Sequence, residues 1–140
     1  VLTSTFFHST VYAVDFDGGN PFLYAGHSQA SVAAFGGTLN DGGAAQGAYM
    51  GIIGSIDVDG EGNLYLTDAE HCLVRRVDRR GIIRTVAGGK GLPQPVLDEA
   101  CGYSGDGAPA VLASLGDHPT VGVGPKRDLF IAHRRKIRYV

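Results

Sequence analysis

The sequence predicts an all-β chain built from repeated four-stranded units. Three observations carry that expectation: 22 glycines in 140 residues, short apolar runs set off by turn residues, and one segment that parses into four strands. The glycine content is more than twice the usual ~7% and has no three-residue period, which excludes collagen. The 44% hydrophobic and 9% aromatic content argues against disorder. No apolar run approaches the ~18 residues of a membrane span, so no membrane partner is expected. No charged segment followed by an apolar stretch reads as a signal peptide. The chain opens at Val1, which suggests a processed product or a piece of something longer. Length alone fits a single domain over 1–140.

The best-formed unit is 52–88, IIGSIDVDGEGNLYLTDAEHCLVRRVDRRGIIRTVAG. Ile52 to Val58 alternates apolar with small or polar residues, and 59–63 makes a turn from Asp, Gly and Asn. Leu64 to Thr67 and Cys72 to Val77 follow, and Asp78-Arg79-Arg80-Gly81 turns the chain into Ile82 to Ala87. Strands of this length joined by 3–5-residue turns describe a meander. The pattern recurs in a first unit, about 11–50, in which Asp17, Val32 and Phe35 fall on Asp59, Val74 and Val77. A third unit, 119–140, repeats it with Leu129-Phe130-Ile131 matching Leu64-Tyr65-Leu66 and Ile137 to Val140 matching Val74 to Val77. The expected inward-stacking residues are Ile56, Val58, Leu64, Leu66, Val74, Val77, Ile83 and Val86.

A meander that repeats every ~40–50 residues cannot bury both faces alone, and stacking such units is the logic of a β-propeller. The segment GEGNLYLTDAEHCLVRRVDRRGIIRTVAG, followed by GYSGDGAPAVLASL (102–115), resembles an NHL repeat of the long type with a GYSGDG-type insert. The resemblance is strongest over 52–115, fair over 119–140 and weak over 11–50. It implies propeller blades, here about three four-stranded NHL-like blades forming a partial propeller. It also places Cys101 in the insert after the blade that carries Cys72, which makes a Cys72–Cys101 disulfide the expected pairing; two free buried thiols are the alternative. A disulfide would imply an extracellular or otherwise oxidising compartment.

The third unit departs from the pattern. It has His133 where the second has Asp68, lacks two residues in the following turn, and stops at Val140 where the third strand of a blade ends. Residues 2–7 read as a spare N-terminal strand. The expected assembly surface therefore comprises Leu2, Thr3, Phe6 and Phe7 at one end and Ile137, Tyr139 and Val140 at the other. Neighbouring copies would complete the blades by donating strands head to tail, giving a ring if the contact closes and a filament if it does not. Charge polarity fits: residues 1–74 hold eight acids and no Lys or Arg, whereas 75–140 hold all twelve Lys and Arg and six acids. Such complementarity steers association, although a fold that interleaves the two parts would use the same charges internally.

Other motifs read as structural. Asp57, Asp59, Glu61, Asn63 and Asp68 fall at alternating positions suited to a calcium loop, but their flanks are strands, and a tight hairpin is the favoured reading. GYSGDGAP (102–109) and GGKGLP (88–93) lack the Lys-Ser/Thr of a phosphate-binding loop, so no cofactor is expected. Ala108 to Leu115 reads as a short helical turn. Basic residues cluster at Arg75, Arg76, Arg79, Arg80 and Arg84 and again at Arg134, Arg135, Lys136 and Arg138. Only Tyr139 interleaves them, so solvated faces or ion pairs are favoured over nucleic acid. The five histidines show no catalytic or metal spacing, and no enzyme activity is expected. The leading function is a secreted structural or interaction module that self-associates through protein contacts. The alternatives are a fragment of a larger NHL propeller that binds a ligand or acts as an enzyme at its central channel, and an RNA-binding propeller.

Overall fold

A computed structural model describes residues 2–4, 10–14, 17, 19–27, 39–89 and 101–140. The second predicted unit is a four-stranded antiparallel meander: β4 (Ile53–Val58), β5 (Leu64–Asp68), β6 (Leu73–Val77) and β7 (Ile83–Ala87), hydrogen-bonded in chain order. The third contributes β10 (Thr120–Val123), β11 (Leu129–His133) and β12 (Lys136–Tyr139), also in chain order. At the N-terminus, β1 (Leu2–Ser4), β2 (Thr10–Ala13) and β3 (Phe22–Gly26) form a three-stranded sheet. A small hairpin, β8 (Tyr103–Ser104) with β9 (Ser114–Leu115), brackets a 3-10 turn at Ala110–Leu112, where the sequence predicts a helical turn.

The turn from β4 to β5 is built by Asp59, whose Oδ1 accepts the N–H groups of Glu61 and Asn63 at 3.0 and 2.8 Å while its Oδ2 accepts Asn63 Nδ2 at 2.7 Å. Gly62 takes φ +83, a conformation that favours glycine because a Cβ would be strained there. This local chemistry fixes the register Val58↔Leu64, and the pleat then sets which side chains face which neighbour.

The blades stack through two apolar clusters. Leu64, Leu66, Val77 and Ile83 pack with Val11 and Ala25 of the first sheet and with Ala45, Ala48 and Met50. On the other side Tyr65, Val74 and Ala87 meet Leu115, Val121, Leu129 and Ile131. Each fully buried aliphatic side chain contributes about 1.5–3 kcal/mol. Polar side chains of β4 stitch its neighbour: Val121 N–H donates to Ser55 Oγ at 2.9 Å and Val123 N–H to Asp57 Oδ2 at 2.7 Å. On the opposite side, Gln46 Nε2 donates to the Leu23 carbonyl at 2.8 Å.

The structure corrects one expectation and decides a second between its two alternatives. Val58, predicted to stack inward, is 46% exposed, because it is the last residue of β4 and lies beyond the packed faces. Arg75, expected on a solvated face or in an ion pair with the acidic part, takes the second course: it is fully buried in the middle of β6 and pairs with Asp41.

Candidate functional site

The buried Arg75 organises the segment before its blade. Its Nη1 donates to the Tyr49 carbonyl at 2.9 Å, and its Nη2 donates to the Leu39 carbonyl at 2.7 Å and to Asp41 Oδ1 at 3.2 Å. Burial lowers the pKa of the guanidinium, and the charges of Asp41 and Asp68 offset part of that effect. Asp41 in turn binds the outermost strand. It accepts the Thr85 N–H at 2.7 Å (Oδ1) and 2.9 Å (Oδ2), and the Thr85 hydroxyl at 3.0 Å. Backbone bonds continue the grip, with Gly42 N–H donating to Ile83 O at 2.7 Å, Ile83 N–H to Gly43 O at 3.0 Å and Ala45 N–H to Gly81 O at 2.7 Å. Strand β7 is thus held on both edges, by β6 and by residues 41–45.

The same device recurs at the third blade. Arg138 donates from Nη1 to the Ser114 carbonyl at 2.6 Å, from Nη2 to the Ser104 carbonyl at 2.8 Å and from Nε to Asp106 Oδ1 at 2.7 Å. Asp41 and Asp106, Tyr49 and Ser114, and Leu39 and Ser104 are all 65 positions apart. The 3-10 turns Ala45–Gly47 and Ala110–Leu112 keep that spacing, as do Gly42 (φ +87) and Gly107 (φ +83). Arg138 opposes Ile131 as Arg75 opposes Leu66. Residues 39–50, expected to belong to the first unit, are therefore an earlier copy of segment 104–115. The signal was Asp-Gly followed by alanines at that constant offset.

The copies differ in what lies between arm and blade. At the third blade no strand runs along the outer edge of β12 among the described residues; a cleft of about 430 Å³ does, lined among others by Gly105, Asp106, Ala110, Ile137, Tyr139 and Val140. Val140 and Leu129 exchange both backbone bonds, 2.9 and 2.8 Å. Alternation along an antiparallel pair then turns the N–H and C=O groups of Ile137 and Tyr139 away from β11, into the cleft. Ile137, Tyr139 and Val140, all predicted assembly residues, are 72%, 68% and 44% exposed.

The rim is basic and aromatic. Lys136 Nζ and Arg138 Cζ lie 4.0 and 3.9 Å from the Tyr103 ring centre, within cation–π range. His133 Nε2 lies 2.8 Å from Asp117 Oδ1, and this contact, with help from Arg134, holds the Asp117 pKa down to about 2. The Tyr139 hydroxyl donates to Asp128 Oδ1 at 3.0 Å, which raises its pKa.

Leu2 and Thr3 lie on β1, which pairs with β2 in register Leu2↔Ala13, so this strand is bonded within its own chain; Phe6 and Phe7 lie outside the described residues. Cys72 and Cys101 form a disulfide with Cα atoms 5.2 Å apart, tying the start of β6 to the start of the insert. The calcium candidates do not converge. Asp57 bonds Val58 and Val123, Asp59 and Asn63 bond each other, and Glu61 pairs with Arg127 at 3.2 Å. Asp68 receives Gly51 N–H at 3.0 Å and His71 N–H at 3.1 Å, and its Oδ1 lies 2.8 Å from His71 Nδ1. Among the described residues no group of three or more metal-ligating side chains forms. Both Arg75–Asp41 and Arg127–Glu61 join the basic part of the chain to the acidic part.

No family model and no curated protein matches this chain. Solved structures do. A structural-genomics protein of unknown function from Bacteroides thetaiotaomicron superposes with a TM-score of 0.73 at 22% identity, over 99% of this chain and 31% of that one. An auxiliary nutrient binding protein from the same organism gives 0.62 at 19% identity, over 93% and 31%. Virginiamycin B lyase from Staphylococcus aureus, a β-propeller, gives 0.50 at 14% identity, over 99% and 36%. The chain thus spans about a third of the length of these structures. At such identities the likeness concerns fold, and the fold is that of stacked β-propeller blades.

Proposed function

We propose that this chain is an NHL-type propeller segment that serves as an extracellular interaction module, associating head to tail with further copies by adding an extended strand to β12. The observation that carries the reading is the repeated clamp: one copy grips β7 between arm and blade, and the other presents the same two walls along a cleft. Strand addition uses the outward backbone groups of Ile137 and Tyr139 for affinity and the alternate side-chain sites for selection. The Cys72–Cys101 disulfide supports an oxidising compartment. The test is molar mass in solution, with and without Tyr139→Pro, which removes a cleft-facing N–H but none of the β11–β12 bonds. Wild-type oligomers that the substitution dissociates fit the proposal; a wild-type monomer contradicts it.

A second reading has its own support. The similar structures are about three times as long, which favours a larger propeller in which further blades close the ring and a ligand binds at its channel. In that case the strand along β12 belongs to the same polypeptide. A longer chain carrying those blades would be monomeric.

A further inference from the structure

Resting on the strand-addition reading, we propose that Asp106 selects the added strand, requiring a serine or threonine at the position opposite Arg138. Arg75 opposes Thr85, and Val77 opposes Ile83. Because Arg75 directs its backbone bonds toward β5, Arg75 and Thr85 form a non-hydrogen-bonded pair, and the Thr85 N–H points away from β6. There it meets the Asp41 carboxylate, which also accepts the Thr85 hydroxyl. One carboxylate thus reads both a backbone N–H and a side-chain hydroxyl, each bond strengthened by the ionised acceptor.

At the third blade the reading head is in place. Asp106 is held by Arg138 Nε at 2.7 Å, and its side chain remains 70% exposed. The backbone wall keeps its shape: Ala108 N–H donates to Gly105 O at 3.1 Å and Ala113 N–H to Ala110 O at 3.2 Å, as Gly43 does to Asn40 and Ala48 to Ala45 at 3.0 and 3.1 Å. The corresponding partners for an incoming strand are Gly107 N–H, Ala108 C=O and Ala110 N–H. An added strand in the β7 register places its aliphatic residue opposite Val140 and its hydroxyl residue, two positions later, opposite Arg138. Within this chain Leu2-Thr3-Ser4 carries the aliphatic-x-hydroxyl pattern of Ile83-Arg84-Thr85, so the donor proposed is the N-terminal strand of a second copy, which must first exchange its pairing with its own β2 because the cleft uses both edges of the added strand.

The experiment titrates labelled peptides of sequence GIIRTVAG (residues 81–88) and VLTSTFF (residues 1–7), up to millimolar, against dilute full chain. Each is compared with its hydroxyl-deleted form, Thr85→Val or Ser4→Ala, and all four are repeated on Asp106→Ala. The expected result is about tenfold weaker binding when the hydroxyl is lost, as for one hydrogen bond to a charged group. On Asp106→Ala that discrimination disappears. Circular dichroism checks that the variant keeps its fold. Equal binding of hydroxyl and hydroxyl-deleted peptides to the wild-type chain overturns the selection by Asp106 and leaves strand addition standing. No binding by any peptide overturns strand addition itself. Binding by the 81–88 peptide alone overturns the choice of the N-terminal strand as donor.

Discussion

Arg75 and Asp41 stand 34 positions apart and meet at 3.2 Å, with the arginine side chain fully buried and the aspartate one third exposed. The pair ties a β-strand, the segment that precedes its blade and the neighbouring outer strand into one unit. Arg138 and Asp106 repeat the relationship at 2.7 Å on a blade whose outer edge faces a cleft.

The two aspartates should differ in their cost of removal. Asp41→Ala leaves a buried guanidinium short of a partner and releases Thr85, so a loss of about 2–4 kcal/mol is expected in urea unfolding. Asp106→Ala breaks an ion pair with an exposed carboxylate and should cost less than about 1 kcal/mol. Equal losses would mean that the carboxylate's grip on β7 contributes little.

The disulfide closes a loop of 29 residues. On the loop-entropy model such a link stabilises by about 3–4 kcal/mol, so Cys72→Ser with Cys101→Ser, or reduction, should lower the urea midpoint accordingly. A thiol assay on the denatured, unreduced chain should detect no free cysteine.

Asp59 is committed to its turn. Burial opposes its ionisation, but hydrogen bonds from Asn63, Glu61 and Tyr65 outweigh that and lower its pKa. Asp59→Ala should cost about 1–2 kcal/mol. Adding millimolar calcium, or a chelator, should leave the melting temperature of the wild-type chain unchanged; a calcium-dependent rise would revive the loop-ligand reading.

Stability should pass through a maximum in mildly acidic solution. Burial disfavours the charged form of His71, yet the Asp68 hydrogen bond and the charges of Asp68 and Glu70 prevail and raise its pKa above the ordinary 6.5. The folded state therefore binds this proton more tightly than the unfolded chain. That contribution is complete below about pH 6.5 and is lost as the pH climbs through the raised value. The lowered Asp59 works in the opposite sense: its contribution is present above the ordinary 3.8 and disappears as the pH falls through its folded value. Urea midpoints across pH 3–9 should show both arms, and His71→Gln should flatten the alkaline one.

The blade at 52–88 was legible in the sequence because its strands alternate and its turns carry Asp, Gly and Asn, signals that act within a few residues. The arginine clamp was not. Whether Arg75 is solvated or buried depends on Asp41 and two carbonyls from a segment 26 to 36 positions away, and no local pattern records that. The earlier insert copy was hidden because only its Asp-Gly turn, with the glycine at positive φ, and its spaced alanines persist, and neither stands out in a chain so rich in glycine and alanine. Val58 shows the opposite error: alternation placed it on the core face, but a strand end can outrun the neighbour that would cover it.

Whether copies of this chain join through β12 can be read from light scattering of the intact chain during size-exclusion chromatography at low and high salt. Strand addition should give a dimer or larger species that loosens in salt and that Tyr139→Pro converts to monomer. A wild-type chain that elutes as a folded monomer at every salt concentration would contradict it.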